Sequence, residues 1–143
     1  KNSREQDALQ TEILMAQGAA GEAVDILEKM VPQIVPNLQT DTFGPYNMPF
    51  RKDKLAIAYV QSGQIDRAIA EYERLTEFVP GEKDWHLTHP VYYFLLAKLY
   101  EQKSRTAEAI ENYEKFLELW KDADLGLPEV EDARKRLAGL KSR

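Results

Sequence analysis

Apolar residues recur at i, i+3, i+4 and i+7 along most of the chain, and strand-like alternation is nowhere sustained. This pattern predicts helices over residues 4–17, 20–32, 49–62, 65–79, 90–103, 106–121 and 127–140. The punctuation agrees. Pro49 and Pro90 stand at expected helix starts, where a missing N–H costs little. Gly63 falls between two predicted helices, where a left-handed residue is wanted, and Ser104 holds the matching place at some cost in backbone strain. Pro80 cannot continue a helix and ends the one before it. The connectors at 33–48 and 81–89 are rich in turn formers. They also carry Ile34, Val35, Phe43, Tyr46, Trp85 and Leu87, and side chains this apolar predict ordered rather than free connectors.

Part of the pattern is written twice. Pro49, Leu55, Ala56, Tyr59, Gln61, Ala68, Ile69, Tyr72, Glu73 and Glu77 return in the same order as Pro90, Leu96, Ala97, Tyr100, Gln102, Ala109, Ile110, Tyr113, Glu114 and Glu118. A self-similar period of this size means stacked supersecondary units. A weaker copy precedes them: Gly18 and Ala23 repeat the spacing of Gly63 and Ala68, Leu27 and Met30 take the places of Tyr72 and Leu75, and Thr11 stands where the others have Ala56 and Ala97. The units run over about 4–35, 49–80 and 90–121. The last helix, 127–140, sets Val130, Ala133, Leu137 and Leu140 on one face and charges on the other, as a capping helix must. Its acidic start and basic end suit the helix dipole. The repeated alanines are small because helices cross closely there, and the tyrosines and Phe116 fill gaps between helix pairs. Each phenol oxygen is expected to reach water or a backbone group.

These small and aromatic positions resemble the tetratricopeptide repeat. The second unit matches through Leu55, Ala56, Tyr59, Gly63, Ala68, Tyr72, Leu75 and Pro80, and the third through Tyr93, Leu96, Ala97, Tyr100, Ala109, Tyr113 and Phe116. The third departs at Ser104 and Lys121, where Gly and Pro are usual. The resemblance implies an all-α, right-handed α-α superhelix of about three helix pairs plus a C-terminal cap. It also implies a concave groove, lined by the first helix of each pair, that takes a peptide, a helix or a neighbouring domain. In the second unit that face carries Phe50, Asp53, Ile57, Val60 and Gln61; in the third it carries Val91, Phe94, Lys98, Glu101 and Gln102. The first unit adds Glu5, Ala8, Glu12 and Met15. Family members that grip a C-terminal carboxylate do so with a cluster of Lys, Arg and Asn. Lys98 alone stands here, so no such clamp is expected. The same apolar residues could instead pack against the connectors. More loosely, the stretch from His89 to Leu137 is similar to the C-terminal repeat region of large bacterial multidomain regulatory proteins, which suggests a regulatory or docking appendage; the chain opens on Lys1 rather than Met, and a fragment of a longer chain is expected.

Composition narrows the remaining classes. The chain has 143 residues, 43% hydrophobic and 30% charged, enough apolar material for a folded core. A net charge of −5 disfavours a nucleic-acid backbone as ligand, and no apolar run is long enough to insert in a membrane. Cysteine is absent, so disulfides and thiolate metal sites are excluded. That absence fits cytoplasm or periplasm alike; a soluble chain is expected, with the cytoplasm the favoured compartment. His86 and His89 lie near Glu82 and Asp84, but all four fall on one connector, and a turn is the reading preferred over a metal site. No phosphate loop or hydrolase motif is present, so neither a cofactor nor catalysis is expected. The expected function is a protein-interaction scaffold. The alternatives are a homo-oligomerising module, with a possible homodimer, and a ligand-sensing regulatory domain.

Overall fold

A computed structural model describes residues 3–34, 53–77, 90–121 and 126–143. Among the described residues all regular structure is α-helical: α1 (Ser3–Ala16), α2 (Ala20–Ile34), α3 (Lys54–Gln61), α4 (Ile65–Thr76), α5 (Val91–Gln102), α6 (Thr106–Leu119) and α7 (Pro128–Lys141). The chain divides into two compact units: α1, α2, α3 and the first turns of α4 belong to one, the last turn of α4 with α5, α6 and α7 to the other.

The same backbone turn closes α1, α3 and α5. Gly18, Gly63 and Ser104 all sit in the left-handed region, at φ 78°, 79° and 59°. In each turn the left-handed residue's N–H reaches back to one carbonyl, and the next residue's N–H reaches one residue further. The pairs are Gly18 to Met15 and Ala19 to Leu14, Gly63 to Val60 and Gln64 to Tyr59, Ser104 to Glu101 and Arg105 to Tyr100. These bonds satisfy carbonyls that a helix end otherwise leaves without partners. The third turn keeps this geometry although a serine replaces glycine, so the fold imposes the conformation there against the residue's own preference.

In the first unit α2 packs on both α1 and α3. Ala23, Ala56 and Ala68 have no exposed surface, as close helix crossings require. Thr11 takes the small-residue place in α1. It is buried, and its hydroxyl donates to the Ala8 carbonyl at 2.7 Å, so the polar atom is satisfied by its own helix.

In the second unit α6 packs on α5 and α7. Phe116 and Tyr113 are fully buried, and Phe94 meets both, with ring centroids 5.3 Å from Phe116 and 6.1 Å from Tyr113. Tyr72 meets Tyr92 at 6.0 Å. Such tilted aromatic pairs add roughly 0.5–1.5 kcal/mol each beyond their burial. Val130, Ala133 and Leu140 of α7 are buried, while Leu137 of the expected apolar face is only half-buried.

One helix start differs from expectation. The pattern begins the third helix at Pro49, but α3 begins at Lys54. Asp53, with φ −98° and ψ 17°, is the flanking residue whose carbonyl accepts the first helical N–H, from Ile57 at 2.9 Å. Aspartate favours this boundary position over a helix interior. Pro49, Pro80 and both histidines lie outside the described residues.

Candidate functional site

Seen from the first helix of each pair, two different faces must be told apart: one that joins helix pairs, and the one the repeat resemblance expects to line a groove. The joining face is built from tyrosine and glutamate. Tyr59 on α3 donates its hydroxyl to Glu28 on α2 at 2.6 Å, and Tyr100 on α5 donates to Glu73 on α4 at 2.5 Å. Glu28, Glu73 and Glu114 each stand ten residues past Gly18, Gly63 and Ser104, so the acceptor recurs at one register of the second helix. At Glu114 the partner is Lys141 of α7, 2.5 Å away. The capping helix therefore supplies a lysine where a further pair would supply a tyrosine.

Arginines close over these rings. The Arg67 guanidinium lies 4.7 Å from the Tyr59 ring centre and pairs with Glu28. Arg105 lies 4.6 Å from the Tyr100 ring centre and pairs with Glu108 at 2.9 Å. The Glu108 carboxyl is held below its ordinary value by its own backbone amide and then by Arg105. Tyr113 donates to Glu101 at 3.0 Å, and Arg136 of α7 reaches the same carboxylate at 3.1 Å while also binding Asp132. Burial, then the bonded carboxylate, pushes the Tyr59 hydroxyl up to about 12 and raises Tyr100 and Tyr113 as well. The expectation that these phenols reach water or backbone is corrected: all three reach carboxylates. The constant ten-residue offset is the sequence signal that could have found Glu28 and Glu73; it does not reach Glu101.

The residues expected to line a groove are distributed unevenly. On α3, Ile57 is half-exposed, Val60 is 37% exposed and Gln61 is exposed. On α5, Val91 and Lys98 are half-exposed and Gln102 is exposed. Phe50 lies outside the described residues. Three expected residues sit elsewhere. Asp53 is fully buried at the start of α3. Phe94 is 4% exposed, because α5 turns it into the aromatic cluster with Tyr113 and Phe116; its outer ring face is covered by the Lys98 ammonium at 5.4 Å. Glu101 is half-buried and occupied by Tyr113 and Arg136. None of the three offers a free group to a ligand.

An open cleft of about 280 Å³ lies against α7, lined in part by Glu101, Asp132, Arg136 and Leu140. Its two carboxylates are each held by Arg136, and Lys135 and Arg143 line the rest of its rim. Among the described residues no cluster of three or more His, Asp or Glu could hold a metal ion, and no helix is long and apolar enough to cross a membrane.

Residues 53–81 and residues 90–120 each match a model of the tetratricopeptide repeat. No curated protein matches the chain. The two matches support the tetratricopeptide repeat family, and the fold is all-α, made of the helix pairs that stack in that family's α-α superhelices. Such repeats generally mediate protein–protein interaction, and proteins built from them are typically scaffolds rather than enzymes.

Proposed function

We propose that this chain is an interaction scaffold that docks a peptide, a helix or a neighbouring domain on the first-helix faces of its repeats. The observation that carries the reading is the asymmetry of α3. Leu55, Ala56, Ala58 and Tyr59 are buried on one side, while Ile57, Val60 and Gln61 remain accessible on the other. A short helix held rigidly on one side presents a preformed apolar strip, and preformed surfaces bind without an ordering cost. On α5 the accessible residues of the expected face are Val91, Lys98 and Gln102, so an acidic group on a ligand suits that face. The turn at Gly18, identical in its bonds to those at Gly63 and Ser104, supports counting 4–35 as a third unit beside 49–80 and 90–121, with 127–140 as the cap.

The test pairs Ile57→Asp and Lys98→Glu with Glu111→Gln, a control on the exposed side of α6, in affinity capture followed by titration of the captured protein. The reading expects at least tenfold weaker binding in the first two variants, wild-type binding in the control, unchanged melting in Ile57→Asp and Glu111→Gln, and melting only slightly lowered in Lys98→Glu, which gives up its contact with the Phe94 ring. Capture indifferent to both face substitutions overturns it. Phe94→Asp belongs in the series as the opposite case: it should unfold the second unit.

A further inference from the structure

A second surface is independent of the groove reading. Gln6, Leu9, Gln10, Ile13 and, just past the helix, Gln17 share the outward face of α1, and all five are exposed, Leu9 at 63% and Ile13 at 48%. The repeat register shows what this face is. Ile13 stands five residues before Gly18, as Ala58 does before Gly63 and Leu99 before Ser104. Gln10 stands where the other units have Leu55 and Leu96. Those four counterparts are all buried, on helices whose neighbouring tyrosines bond to the preceding pair. The α1 face is thus a stacking face, and among the described residues nothing is stacked on it.

Two features of the face select its occupant. The first excludes another helix of the repeat type. Each second helix that receives a stacking face offers a glutamate, Glu28 or Glu73, to a tyrosine. At that register α1 has Leu14, so an incoming carboxylate would be covered without a donor, which is costly. The second feature concerns charge. The face holds no charged residue, in a chain that is 30% charged with a net charge of −5. The acids at its border are Glu5 and Glu12, and Glu12 is already paired with Lys54. Across a twofold axis the same patch faces itself, so a patch carrying one sign of charge repels its copy and an uncharged apolar strip does not. We propose that the α1 face joins two copies of this chain in an isologous dimer, with Leu9 and Ile13 of each copy at the axis and the glutamines as its polar rim.

The test is solution mass by light scattering across a wide concentration range. The wild-type mass should rise from 16.4 kDa towards twice that value. Leu9→Glu combined with Ile13→Glu should hold it at 16.4 kDa throughout, with unchanged helicity by circular dichroism. Leu119→Glu, at the other strongly exposed leucine among the described residues (57%), should leave the association intact. Because the chain has no cysteine, Ile13→Cys creates a single thiol, and a short bis-maleimide should link two such chains in high yield. A wild-type chain monomeric at every concentration overturns the proposal and leaves the face to a helix of another protein. Association that survives the double substitution also overturns it, and so does failure of the thiols to cross-link while the mass is doubled.

Discussion

The tyrosine hydroxyls do the most specific work of any group in this chain. A phenol that donates to a carboxylate keeps its proton more tightly when folded than when unfolded, and the sign of the consequence is fixed. Below the ordinary value of 10.0, Tyr59, Tyr100 and Tyr113 are protonated in both states and their bonds contribute in full. Above it the unfolded chain releases protons that the folded chain retains, so stability falls as pH rises, and the contribution of Tyr59 is gone once pH passes about 12. Urea melts at stepped alkaline pH should therefore show midpoints that are level up to about pH 10 and drop steeply beyond. Tyr100→Phe should lower stability at neutral pH by about 1 kcal/mol, since Glu73 is exposed and regains water when its donor is removed. It should also flatten the alkaline slope. A slope unchanged in Tyr100→Phe would mean that the bond to Glu73 contributes nothing. The sequence makes these tyrosines recognisable as core but hides their acceptors, because the bond from Tyr59 spans to Glu28 and that from Tyr100 to Glu73. Phe94 escaped for a related reason. Its place in the repeat pattern reads as a groove position, and only the rings of Tyr113 and Phe116 reveal that it is turned into the core.

At the scale of the element, the turns are the most legible feature and the helix starts the least. Glycine at a helix end speaks through its own backbone freedom, so Gly63 and its match Ser104 could be placed from sequence, and the left-handed geometry is found at both. Helix starts depend on competition between signals. Proline at 49 and aspartate at 53 both mark a beginning, and the structure begins α3 after the second. The strain stored at Ser104 gives a paired test. Ser104→Gly should raise stability by up to about 1 kcal/mol, because a left-handed conformation costs a side-chain-bearing residue about that much. Gly63→Ala should lower it by about 1 kcal/mol. At Gly63 an added Cβ would meet nothing within 4 Å, so the cost there is backbone strain alone, with no clash to confuse it. Thermal melts of the two variants should move in opposite directions. Equal movement would show that the repeated turn is not under repeated strain.

For the whole molecule, stability in a stacked array is a sum over neighbours, so damage at one end should stay near that end. The capping helix allows this to be tested. Burial of Val130 and Leu140 on α7 contributes about 1.5–3 kcal/mol each, an upper estimate because the unfolded chain is not fully extended. The Lys141–Glu114 pair is about half-exposed and adds little to that sum. The bond from Arg136 to Glu101 is different, because it sits on the carboxylate that also receives Tyr113. Ending the chain at residue 126 removes all of these contacts and uncovers the outer side of α6. The shortened chain should lose roughly 3 kcal/mol or more from its second unit. In hydrogen exchange the amides of α5 and α6 should lose protection while those of α1, α2 and α3 keep theirs. Leu140→Ala is the milder form of the same change. It should cost about 2–3 kcal/mol, with the same regional pattern and no change of chain length. If truncation instead strips protection evenly from every helix, the chain folds as one cooperative body. The glutamate that ends each junction would then be stabilising the array as a whole rather than its own neighbour.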